Sequence, residues 1–158
     1  MTANKDEIFL EHARLGERSD VLLEFDEKSQ FPRMRRLYNG YALVDLAHAI
    51  MLVETKILPA DRGAKLIKGL LAVHDLGPDK FPWLDNSNSF LVHVEHYLSE
   101  TVGKDIAGWL QTGRSRNDQD AAAERVAQRD LLLKLSDALG EVLAKTIEQA
   151  ERHADTLM

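Results

Sequence analysis

The residues best suited to chemistry stand together at Thr112-Gly113-Arg114-Ser115-Arg116-Asn117-Asp118-Gln119, which gathers two guanidinium ions, two hydroxyls and the Asn117 amide in a turn feeding a helix. Gly113 permits a backbone angle that other residues resist, and a helix start offers unpaired N–H groups with partial positive charge. An arginine fork pairs bidentately with a planar carboxylate. These features suit the binding of a carboxylate anion. A plainer arrangement uses the same residues: Asn117 or Asp118 caps the helix, and the arginines pair with neighbouring acids.

Other candidates have simpler explanations. Arg33, Arg35 and Arg36 could meet an anion, but they alternate with apolar positions at a helix start and read as a solvated face. His93 and His96, with Glu95 between them, could share a helix face toward a metal, yet no third ligand is evident, and no metal site is expected. His48 and His74 lie on apolar helix faces as structural histidines, and Trp83 and Trp109 flank loops as packing anchors. No glycine-rich phosphate loop or Ser-His-Asp grouping is recognisable, and no cofactor is expected.

The elements that position these residues read as helices broken by Gly and Pro, an all-α pattern with almost no strand signal. Pro32 suits a first helical turn, and Met34, Leu37, Tyr41, Val44, His48 and Met51 keep the spacing of one buried face until Leu58-Pro59. A second stripe, Ala64, Ile67, Leu70, Leu71 and His74, stops at Gly77-Pro78. A loop follows, then a third helix capped by Ser87 or Asn88 and running to about Glu100, and a short piece from Ile106 to Leu110. From Asp118 onward there is no proline and only Gly140, while Leu132, Leu135, Leu139, Leu143, Ile147, Ala150, Ala154 and Leu157 keep helical spacing. About forty residues at about 1.5 Å each make one helix of roughly 60 Å, too long to bury its stripe against the preceding segments alone. The spacing therefore predicts a small helical domain over 1–111, then the arginine-bearing loop and the first long helix of a central bundle over 112–158, shared with other long helices. The pattern has no stop signal at Met158 and reads as part of a longer protein.

A length of 158 residues with 44% hydrophobic and 29% charged residues suits one globular unit, and zero cysteines exclude disulfides and thiolate chemistry. The charged N-terminal stretch and the lack of a long apolar run point to a soluble, cytoplasmic protein with no membrane contact. A net charge of −6 argues against bulk attraction to nucleic acid while leaving room for a local anion site.

The string Leu110 to Gln119 resembles the first signature segment of argininosuccinate lyase, typically Leu-His-Thr-Gly-Arg-Ser-Arg-Asn-Asp-Gln, with Thr112 to Gln119 matching at eight consecutive positions. Glu95, Leu98 and Gly103 match a Glu-x-x-Leu helix that ends in Gly before that motif, and Ala154-Asp155-Thr156-Leu157-Met158 resembles the approach to a second signature block. Members of this superfamily, which includes fumarase, aspartase, adenylosuccinate lyase and delta-crystallin, eliminate an amine or water from a substituted succinate and release fumarate. The resemblance implies a dicarboxylate substrate, with Ser115, Arg116 and Asn117 against its carboxylates and Thr112 and Arg114 shaping the loop. Ser29, in Phe25-Asp26-Glu27-Lys28-Ser29-Gln30, is the nearest equivalent of a further substrate-contacting serine. The resemblance also implies a homotetramer whose sites join segments of three subunits, and it places the general acid and base beyond Met158, so that this stretch alone is inert.

Three departures bear on the substrate. Ser89-Phe90-Leu91 stands where the family has Asp-Ile-His, Gln111 replaces a histidine, and the typical Leu-Trp-Gly-Gly-Arg opening is missing. They leave open a lyase for another N-substituted aspartate, similar to ethylenediamine-disuccinate lyase. A non-catalytic, crystallin-like assembly module and an anion-binding helical module are the alternatives from other functional classes.

Overall fold

Helix α1 (Lys28–Glu54) carries the contact face on which the other elements are organised. In the computed structural model, the described residues are Val21, Glu24, Phe25, 28–84, Ser87 and 89–157; Lys28 and Ser29 are described in backbone only. Pro32 lies at the fifth position of α1 rather than in its first turn. The buried face is Met34, Tyr38, Tyr41, Ala42, Asp45, Ala49 and Leu52, whereas Met51, expected inside, is 39% exposed. The helix ends on Lys56 at φ 60°, with the Ile57 N–H bonded to the Leu52 carbonyl at 3.0 Å and the Lys56 N–H to that of Val53 at 3.0 Å. That paired pattern satisfies the last carbonyls before Pro59 turns the chain.

Helix α2 (Ala60–Lys80) buries Gly63, Leu66, Gly69, Leu70 and Val73 against its neighbours, one position away from most of the expected stripe, so Leu71 and His74 face outward. The glycines explain the rotation. A Cβ on Gly63 would stand 2.1 Å from a Val53 methyl, and one on Gly69 would stand 2.6 Å from a Leu98 methyl. Residues that count for little in a hydropathy stripe therefore mark the line of closest approach. The expected stop at Gly77-Pro78 appears as a sharp kink at Gly77 (φ 65°, ψ 173°) followed by one more turn.

Helices α3 (Phe90–Thr101) and α4 (Lys104–Ala107) complete the N-terminal cluster. The N-cap of α3 is Ser89, not Ser87 or Asn88; Ser87 instead accepts the Ser89 N–H on its hydroxyl at 3.3 Å. The core centre is aromatic: Phe90 stacks on Tyr41 at 4.4 Å, and Tyr38 meets Phe81 and Phe90 edge-on. Tyr38 donates its hydroxyl to the Val73 carbonyl at 2.5 Å, so the buried phenol is satisfied. Trp83 donates to the Pro78 carbonyl at 2.9 Å and packs against Phe31, an anchoring role.

Helix α5 (Arg116–Arg152) runs unbroken through Gly140 for 37 residues, roughly 55 Å. Its first turns lie on α1: Ala123 meets Gly40, Asp120 accepts from the Tyr41 hydroxyl at 2.8 Å, and Glu124 pairs with Arg33. From Gln128 to Leu157 every residue is exposed, including Leu132, Leu135, Leu139, Leu143 and Ile147. The fold is all-α, with no strand among the described residues.

Two glycine substitutions have opposite expected signs. A Cβ on Gly40 would stand 2.6 Å from the Ala123 backbone oxygen, so Gly40→Ala should force α5 off α1 and destabilise the chain by about 1–3 kcal/mol. Gly140 has nothing within 4 Å, and Gly140→Ala should stabilise by about 0.5–1 kcal/mol through helix propensity. Denaturant titration of both variants checks the pair; equal effects would contradict the packing described.

Candidate functional site

The approach to α5 is a chain of tight turns. The Leu110 N–H bonds to the Ala107 carbonyl at 3.0 Å, Thr112 to Trp109 at 3.1 Å, and Arg114 to Gln111 at 3.4 Å. Leu110 is fully buried and anchors the loop, and Gly113 at φ 72° reverses the chain. Ser115 then caps α5. Its N–H donates to the Asp118 carboxylate at 2.7 Å, and its hydroxyl accepts the Asp118 N–H at 3.4 Å. The cap is thus Ser115 rather than Asn117 or Asp118, and the helix starts two residues earlier than the spacing suggested. The bond from the Ser115 backbone holds the Asp118 carboxyl below its ordinary value.

The two arginines of the loop part company. Arg114 turns inward, its side chain 7% exposed, and pairs with Asp45 of α1, whose side chain is 1% exposed. Gln119, in the second turn of α5, donates its amide to both Asp45 oxygens at 2.8 and 2.9 Å. Burial pushes the Asp45 carboxyl up, against the opposing pull of the Arg114 charge and the two hydrogen-bond partners. One turn along α1, His48 donates Nε2–H to the Thr112 carbonyl at 2.9 Å; burial, then the nearby Arg114 charge, holds its ring below the ordinary value. Glu95 of α3 is half-buried nearby, and burial, then the Asp45 charge, pushes its carboxyl up. Arg116 and Asn117 are exposed in the first turn of α5, whose backbone N–H groups have no intrahelical partner.

Of the residues singled out from sequence, the fold therefore brings Thr112, Arg114, Ser115, Arg116 and Asn117 into one loop and helix start. The first two are held against α1, and the last three are exposed. Ser29 lies in the first turn of α1, and its side chain is outside the described residues. Arg33 and Arg35 pair with Glu124 and Asp79, and Arg36 is exposed. His93 is buried and doubly engaged: its Nδ1 accepts the Leu84 N–H at 3.1 Å, and its Nε2–H donates to the Ser87 carbonyl at 3.1 Å. Those partners fix it as a neutral Nε2–H tautomer.

Asp45 is the residue whose role the sequence did not reveal. The available signal was a charge inside the apolar run from Tyr41 to His48, on the same helix face as Tyr41 and Leu52. The departures at Ser89-Phe90-Leu91 are packing residues: Ser89 and Phe90 are buried, and Leu91 packs against the core.

Comparison with known proteins gives consistent matches. The argininosuccinate lyase of Methanocaldococcus jannaschii is 32% identical over 124 residues, which is 78% of this chain and 26% of that protein. That of Bartonella bacilliformis is 33% identical over 147 residues, 92% of this chain and 30% of its own length. That of Methanococcus vannielii is 30% identical over 155 residues, 94% and 31% respectively. The chain thus spans only about a quarter to a third of the length of the curated relatives it matches. No family model and no solved structure matches it.

The tautomer of His93 has a consequence for pH. Burial lowers its pKa from 6.5 to about 4, so the folded state resists protonation while the unfolded chain accepts it. The stability His93 confers is fully present above pH 6.5, declines as pH falls, and is lost by about pH 4, an effect of about 3 kcal/mol. The ring resonances should titrate with a midpoint near 4 in an NMR experiment. A midpoint above 6 would contradict the buried, doubly bonded ring.

Proposed function

This chain belongs to the argininosuccinate lyase family over the stretch it shares with it, and on that premise we propose that it supplies the carboxylate-binding part of a carbon–nitrogen lyase. The substrate class is an N-substituted succinate, cleaved to fumarate and an amine; with argininosuccinate the amine product is arginine. The observation that carries this reading is the loop itself. Arg116 and Asn117 stand exposed at a capped helix start, while the second guanidinium, Arg114, is already neutralised by Asp45.

The difficult step of such an elimination is removal of a proton beside a carboxylate, because negative charge builds up on that carboxylate as the carbanion forms. Donors already in place lower the barrier most where that charge develops. Ser115, Arg116 and Asn117 are the proposed contacts to the succinyl carboxylates, Thr112 and Arg114 shape the loop, and Ser29 is a further contact. The groups that take and return protons come from outside this stretch.

In the same proposal, residues 1–111 form the small helical domain and residues 112–158 begin the central bundle. The exposed leucine stripe of α5 supports this division, because it needs partner helices. The assembly proposed is a cytoplasmic homotetramer.

Two substitutions in the full-length protein test the contacts. Arg116→Lys keeps the charge but loses the planar fork, so the rate should fall if carboxylate geometry matters. Asn117→Ala should lower kcat about a hundred-fold, corresponding to roughly 3 kcal/mol, with tetramer mass and circular dichroism unchanged. Near wild-type kcat/KM in both variants would reduce the loop to a helix cap with a surface arginine. The 158-residue chain alone, given argininosuccinate, should release no fumarate above background in an ultraviolet assay.

A further inference from the structure

Asp45 is a fully buried carboxylate in the middle of the apolar face of α1. Such a group is costly to remove from water unless a cation and hydrogen bonds compensate it. Both compensating partners come from the one segment that carries the proposed contacts. Arg114 is the residue before the N-cap of α5, and Gln119 lies four residues after that cap, giving two ties from α1 that straddle Ser115. His48, one turn along α1, adds a third by donating to the Thr112 carbonyl at 2.9 Å.

We propose that Asp45 is the positioning residue for this loop. By neutralising Arg114 and bridging to Gln119 it fixes the start of α5 against α1, so that Arg116 and Asn117 face outward together. It also holds Arg114 inside and leaves Arg116 as the loop guanidinium that a carboxylate ligand meets. The catalytic consequence rests on the function proposed above; the positioning does not.

Asp45→Asn separates the two ties. Gln119 has an Oε1 with no partner among the described residues, which can accept from the new amide, so that tie can survive. Arg114 loses its counter-charge and becomes a buried cation without compensation, two of whose nitrogens, Nε and Nη1, already have no partner among the described residues. The guanidinium should leave for solvent and take the loop with it.

Amide hydrogen exchange on the full-length protein decides the matter. Asp45→Asn should speed exchange at the hydrogen-bonded amides of Thr112, Arg114, Ser115, Asp118 and Gln119 by roughly tenfold or more, while Leu66, Leu70 and Val94 in the α2–α3 core stay as protected as in wild type. If Asp45→Asn does not fold, Asp45→Ala/Arg114→Ala removes both charges and both ties to the loop without stranding a cation, and carries the same expectation of faster exchange. A uniform rise across the chain would make Asp45 an ordinary core residue, and an unchanged loop would likewise overturn the proposal. In the assembled lyase, kcat should also fall by roughly tenfold or more, since a displacement near 1 Å at the contacts is enough for that. Loop loosening without any change in kcat would overturn the catalytic consequence. A parent protein without lyase activity would overturn the functional reading and leave the exchange result to judge the positioning.

Discussion

A carboxylate sealed into an aromatic and aliphatic core must be answered by charge and hydrogen bonds from its immediate surroundings, and at Asp45 those come from Arg114 and Gln119. The ion pair joins residues 69 apart and clamps the signature loop onto α1. The capping box at Ser115 sets where α5 begins, the Asp45 clamp sets where that beginning sits, and Tyr41, Gly40 and Arg33 of α1 extend the contact along the first turns. The resulting arrangement separates two guanidinium ions of identical chemistry. One is spent on a buried partner, and the other is exposed at a helix N-terminus, where an anion would be favoured.

Helix α5 divides into a gripped part and a bare part. Its first turns bury Gln119 and Ala123 against α1, while Leu131 to Ile147 present large apolar side chains that are more than half exposed. A helix of this length gains little from propensity alone in water and depends on packing for its stability. The N-terminal cluster thus supplies only the anchoring end. The proposed bundle would supply the rest, and with it the residues that act on protons. In that proposal the loop sits at the junction, its geometry set by the cluster and its surroundings to be completed by the bundle.

Much of this was legible in the sequence, because helix spacing, proline positions and an eight-residue block are local signals. The long helix and its passage through Gly140 follow from that spacing. The rotation of α2 did not, because Gly63 and Gly69 contribute little hydropathy although they form the tightest contact line. The cap was expected at Asn117 or Asp118 and lies instead at Ser115, an equally good capping residue, because of its reciprocal tie with Asp118. The inward turn of Arg114 could not be read from the block alone, since its cause lies on another helix. Likewise, Ser89-Phe90-Leu91 looked like a departure from a polar block until the stacking of Phe90 on Tyr41 made it part of the core.

In the proposed site a carboxylate meets Arg116 and Asn117 while Arg114 remains bound to Asp45. A crystal structure of the full-length protein soaked with fumarate tests it most directly. A fumarate carboxylate should lie within hydrogen-bond distance of Arg116 and Asn117, with the Arg114–Asp45 pair intact beneath it. Fumarate bound away from this loop, or Arg114 withdrawn from Asp45 to hold the ligand itself, would contradict it.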